Sequence, residues 1–177
     1  MPTMAIDPLL PWHEFYGLLG AGAATLIGAM FVVASLASRF LASKRGDLSR
    51  MFITPTVTHL SSVLFACALV EAPVPMELRS AVFGLGGIAG MGYGVHVAMR
   101  IGRRLDNHGD RIWYVAGPVL GYGLMLASAL TLGMGGKAGI DAGPDLLAAS
   151  LALLLLAGVR NAWDIILFFV AHPGGVR

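Results

Sequence analysis

The sequence predicts an all-α integral membrane protein, a bundle of five transmembrane helices in a single domain spanning residues 1–177. Hydrophobic residues make up 56% of the chain and charged residues only 12%, against roughly 25% charged in a soluble domain. Five apolar stretches, 15–37, 52–70, 80–99, 112–134 and 146–171, come close to or exceed the ~20 residues that cross a bilayer core. Of the 12 basic and 10 acidic residues, only Arg160 and Asp164 fall inside those stretches. An arbitrary division of the chain would not leave the charges outside so completely.

No Lys or Arg precedes the first span, so it lacks the basic leading region of a cleaved signal peptide and is expected to stay in the mature protein. Trp12, Phe15 and Tyr16 stand at its start as interfacial anchors. Gly20, Ala24 and Gly28 put a small residue on one face at every turn. The second span opens on an unusually polar run, Thr54-Pro55-Thr56-Val57-Thr58-His59-Leu60-Ser61-Ser62. Pro55 is expected in its first turn, where a missing N–H costs little. Cys67 has no second cysteine to pair with and reads as a small apolar packer. The link Ala72-Pro73-Val74-Pro75 is short and proline-rich, as a tight connection requires.

The third span carries the longest small-residue stripe, Gly86, Gly90, Gly94 and Ala98. Such a stripe lets backbones approach closely, within the bundle in the first instance and between subunits in the second. Gly117 and Gly121 repeat the device on the fourth span, where Trp113 and Tyr114 are the anchors. A Gly-rich link from Gly133 to Pro144 leads to the fifth span and its segment Arg160-Asn161-Ala162-Trp163-Asp164.

Orientation follows from the loops. Arg39, Lys44, Arg45 and Arg50 follow the first span, and Arg100, Arg103, Arg104 and Arg111 follow the third. With Arg177 they outnumber Arg79 and Lys137 on the opposite side by nine to two. The positive-inside bias then predicts N-out and C-in, and the expected location is a bacterial cytoplasmic (inner) membrane. The net charge of +2 resides at helix ends, where lipid headgroups account for it. The lipid bilayer is therefore the expected partner, and nucleic acid is not.

Function is expected from the polar groups inside the membrane, each costing roughly 2.5–3.5 kcal/mol on insertion scales if charged. Arg160 and Asp164 are four residues apart on one helical face and pair with each other. Asn161 flanks them. At 1.5 Å per residue His59 lies about 11 Å into its span, His96 about 6 Å and Asp164 about 10 Å, all measured from the same side. This common depth predicts a meeting point in the inner leaflet, with Thr56 and Ser62 contributing hydroxyls. His13, His108 and His172 lie in tails or loops.

No Ser-His-Asp set, HExxH or cysteine pair is present, and Gly84-Leu85-Gly86-Gly87 and Gly133-Met134-Gly135-Gly136 lack the strand-to-helix setting of a nucleotide loop. A non-enzymatic protein without a resident cofactor is expected. The leading expectation is a homo-oligomeric channel or permeation protein for a small ion, protons among the candidates. His59, Arg160, Asn161, Asp164, Thr56 and Ser62 would line, gate or support it, and Gly86, Gly90, Gly94, Gly20 and Gly28 would pack its helices. Two alternatives stand beside it. One is a membrane redox protein with haem held by His59 and His96. The other is an accessory or assembly subunit whose polar set only fixes helix register.

Overall fold

The structure, a computed structural model, describes residues 7–36, 46–101 and 112–171. A short 3-10 turn, Leu10–Trp12, leads into α1, His13–Leu36. It is followed by α2, Gly46–Glu71, and α3, Met76–Ile101. A π-helical turn, Ile112–Ala116, precedes α4, Gly117–Met134. The short α5, Gly136–Asp141, then connects to α6, Gly143–Ala171. No strand occurs among the described residues. Five of these helices, all but α5, are long and apolar enough to cross a membrane. Helices α2 and α3 overrun their expected spans at both ends and α1 and α6 at their starts, because the polar residues that close an apolar run remain helical; α4 together with the π-helical turn before it matches the expected 112–134. The basic loop residues Arg39, Lys44, Arg45, Arg103, Arg104, Arg111 and Arg177, with His108 and His172, lie outside the described residues.

The overrun corrects one expectation. With α2 beginning at Gly46, Pro55 stands in the helix interior rather than in the first turn. It supplies no N–H to the carbonyl four residues earlier. The π-helical turn has a similar origin. Pro118, near the start of α4, gives no N–H to the carbonyl of Tyr114, and the wider turn sits at that point.

The most extensive contacts join α3 to α4 and α4 to α6, with α1 on α2 and α2 on α6 next. Although consecutive, α2 and α3 scarcely touch. The bundle is thus a curved row, α3–α4–α6–α2–α1, with α6 in the middle and an opening between α2 and α3. Lipid is as apolar as leucine, so the association of these helices rests on close packing and hydrogen bonds rather than on transfer from water. The glycines show where that packing occurs. A Cβ on Gly90 would overlap the ring of Tyr122, and one on Gly94 would come within 2.8 Å of Val119. Gly86 faces Met125 across the same interface. The α3 stripe is therefore spent inside the chain, on α4. Gly20 approaches Cys67 of α2 and Gly121 approaches Leu154 of α6, whereas Gly28 meets nothing within 4 Å and faces outward.

Side-chain hydrogen bonds tie the ends of the helices. Tyr16 is fully buried and donates to the carbonyl of Pro144 at 2.9 Å, so it bolts α1 to the start of α6 rather than anchoring to an interface. Trp12 and Phe15 pack edge to face beside it. Tyr114 is likewise buried. Ser128 and Ser150 donate to the carbonyls of Gly143 and Gly121, both at 2.7 Å, and join α4 to α6 at two heights. His13 Nδ1 lies 3.2 Å from Glu71 and clasps α1 to the end of α2.

Arg79 is a second correction. It lies in the first turns of α3, is buried, and pairs with Asp7 at 2.6 Å while donating to the carbonyl of Ala72 at 2.7 Å. Arg79 falls just outside the expected third span, but the helix overruns the apolar stretch and carries it inside. A pocket of about 600 Å³ beside it is bounded by Asp7, Glu77, Arg79, Ser80 and the Gly133–Gly136 turn. Gly135 and Gly136, at φ 65° and 68°, make the left-handed turn that ends α4.

Candidate functional site

Three sets of polar side chains lie at span depth, and the helices keep them apart. The first is an interior chain between α2 and α4. His59 is buried, and its Nδ1 lies 3.1 Å from the hydroxyl of Tyr122. The Tyr122 hydroxyl lies 3.0 Å from Ser62 Oγ, which donates to the carbonyl of Thr58 at 2.9 Å. The spacing of α2 produces this arrangement, since residues three apart share a face. Tyr122 reaches it because Gly90 of α3 leaves room for the ring. The imidazole also meets Tyr93 of α3 edge to face, with centroids 6.5 Å apart. Thr56, one turn earlier, is fully buried. The chain borders a groove of about 340 Å³ between α2 and α3, with apolar walls that include Phe65, Phe83, Leu85 and Met125. Ser62 and Tyr122 are its polar lining residues.

The second set is the ion pair of Arg160 and Asp164, one helical turn apart on α6. Its side chains are 40% and 26% exposed. They occupy the flank of α6 between the outward row Leu156, Val159, Trp163 and Leu167 and the buried row Leu154, Ala157 and Asn161. The third is Asn161 alone, fully buried, with neither amide atom hydrogen-bonded. The register set by Gly158 against Leu60 puts it level with the Thr56–Val57 turn of α2. A buried amide without a partner costs about 1–3 kcal/mol.

The six expected site residues are thus divided. His59 and Ser62 are brought together through Tyr122, and Arg160 is joined to Asp164. No hydrogen bond or ion pair links His59 to Asp164, and His96 is exposed on α3. The expected meeting point does not form: the register of Gly158 on Leu60 sets Asp164 level with Thr54 rather than His59, and the side chains point to different faces of their helices. Asn161 turns into the core, 100° around α6 from its neighbour Arg160. Sequence reasoning missed Tyr122 and Arg79. Tyr122 stands in an otherwise uncharged, Gly-rich span with no polar neighbour in sequence to mark it, though a hydroxyl in mid-span needs a partner. Toward the α2–α3 end Val63, Ala66, Val70, Phe83, Met125, Ala129, Leu147 and Leu151 pack in one apolar cluster, and the buried hydroxyls of Ser128 and Ser150 beside it donate to backbone carbonyls.

No protein family, curated protein or solved structure matches the chain. The functional reading therefore rests on the side chains alone.

Proposed function

We propose that the protein is a homo-oligomeric permeation protein for a small ion, foremost protons, set N-out and C-in in a bacterial inner membrane, with the Arg160–Asp164 flank of α6 facing the pathway. The observation that carries this reading is the partial exposure of the pair, 40% and 26%, at span depth. Charged groups against hydrocarbon cost roughly 2.5–3.5 kcal/mol each on insertion scales, and intramembrane charges usually face a bundle interior or a wet cavity. A hydrated seam between copies gives these two side chains such a surrounding. The packed apolar cluster within each chain favours a path between copies over one through a single bundle. His59 and Asn161 belong to the interior of each subunit in this arrangement.

A second reading, an accessory or assembly subunit, is favoured by the self-neutralised geometry of the pair, which equally suits a face docked on another membrane protein. The haem alternative has less support, since His59 is buried while His96 is exposed. Reconstitution separates the first two. Proteoliposomes of the full chain are expected to dissipate a pH gradient faster than empty vesicles, and Asp164→Asn to slow this at least tenfold. Flux equal to that of empty vesicles, or a monomeric detergent particle by mass, would leave the accessory reading in place.

A further inference from the structure

The hydrogen-bond chain between α2 and α4 has a direction. The carbonyl of Thr58 can only accept, so the hydroxyl of Ser62, at 2.9 Å, gives it its one proton. Ser62 Oγ then has only lone pairs for Tyr122 at 3.0 Å, so the tyrosine hydroxyl donates to it. With that proton committed, the Tyr122 oxygen can only accept from His59 Nδ1 at 3.1 Å. Nδ1 must therefore carry a hydrogen. A neutral imidazole has one N–H, so Nε2 holds the lone pair. The opposite tautomer would set two lone pairs facing each other somewhere along the chain.

We propose that His59 is a proton acceptor in the interior of the bundle, acting through Nε2, with Tyr122 and Ser62 as the positioning residues that fix its tautomer. In the step itself a hydronium ion gives its proton to the Nε2 lone pair, an N–H bond forms, and water is released with no redox change. The cation keeps its Nδ1–H bond to Tyr122, so the chain does not rearrange when the proton arrives or leaves. The titratable side chains facing the ring are Tyr122 from α4 and Tyr93 from α3. Among the described residues no carboxylate or cation is hydrogen-bonded or ion-paired to it. The assignment stands on geometry inside one chain and does not depend on the oligomeric seam.

The test is nitrogen NMR of the full chain, 15N-labelled at histidine, in lipid nanodiscs. The spectrum of His59→Gln identifies the His59 signals among the five histidines. At neutral pH a protonated Nδ1 and a bare Nε2 are expected, and on acidification Nε2 gains hydrogen while Nδ1–H persists. Ser62→Ala frees the Tyr122 proton to point at Nδ1, so the tautomer should reverse to Nε2–H. Tyr122→Phe should leave the two tautomers mixed. The proposal is overturned by Nε2–H in the native protein, by a ring that never protonates while the protein stays folded, or by an unchanged tautomer in Ser62→Ala. Should neither variant fold, the native spectrum and its acid titration decide alone. None of these readouts measures flux, so this assignment and the permeation reading fail separately.

Discussion

Two ion pairs of identical chemistry stand at different places in this molecule and are built in different ways. Asp7 and Arg79 are separated by 72 positions and meet only because the N-terminal segment crosses the start of α3. Arg160 and Asp164 are separated by four and meet because an α-helix brings i and i+4 together. The first pair places its guanidinium in the core, 6% exposed, with the Ala72 carbonyl as a further acceptor. The second lies on a flank, with its arginine 40% exposed. An ion pair made across the chain holds a fold together. One made within a helix leaves its surface available to something else.

The sharpest way to break this comparison is to remove one partner from each pair. Asp7→Ala leaves the Arg79 guanidinium buried and uncompensated, and a loss of about 3 kcal/mol is expected in denaturant unfolding in detergent. Arg79→Met should cost less, because the carboxylate left behind is a third exposed and reaches water. Gly90→Ala comes next, with a loss of about 2 kcal/mol from overpacking against the Tyr122 ring. The same substitution should disturb the His59 signals, whereas Gly28→Ala, which meets nothing, leaves both stability and spectrum unchanged.

Asn161→Leu sharpens the comparison in the other direction. Its amide has no partner to lose, so thermal unfolding should show stability unchanged or raised by about 1 kcal/mol. A loss above 1 kcal/mol would mean that the amide is satisfied by a bound water or ion. The smallest effect belongs to Asp164→Asn in detergent, about 0.5 kcal/mol by the same unfolding measurement, as for i,i+4 pairs on a helix surface. A loss as large as that of Asp7→Ala would erase the distinction between the two pairs.

The legible part of this protein was what depends on neighbours along the chain. Apolar length marked all five crossing helices, and helical spacing paired Arg160 with Asp164. Cys67 behaves as the packer its setting suggested, lying against Gly20. A residue's height along a span, counted from the sequence, says nothing of which face its side chain leaves by, nor of the register between helices. With Gly158 set against Leu60, Asp164 falls level with Thr54 rather than with His59, and the His59 side chain faces α4 from within while that of Asp164 lies on the flank of α6. Tyr16 looked like an interfacial anchor until the start of α6 offered the Pro144 carbonyl to its hydroxyl.

By itself the sequence determined which segments cross the membrane and which charges a helix can pair, because hydrophobic length and the 3.6-residue repeat are local properties. Only the tertiary structure decided that the α3 glycines serve α4, that Arg79 closes on Asp7, and that His59 answers to Tyr122. Those choices depend on which helix faces lie against one another. Small residues and polar groups satisfy that requirement in many combinations, and it takes the packed bundle to select among them.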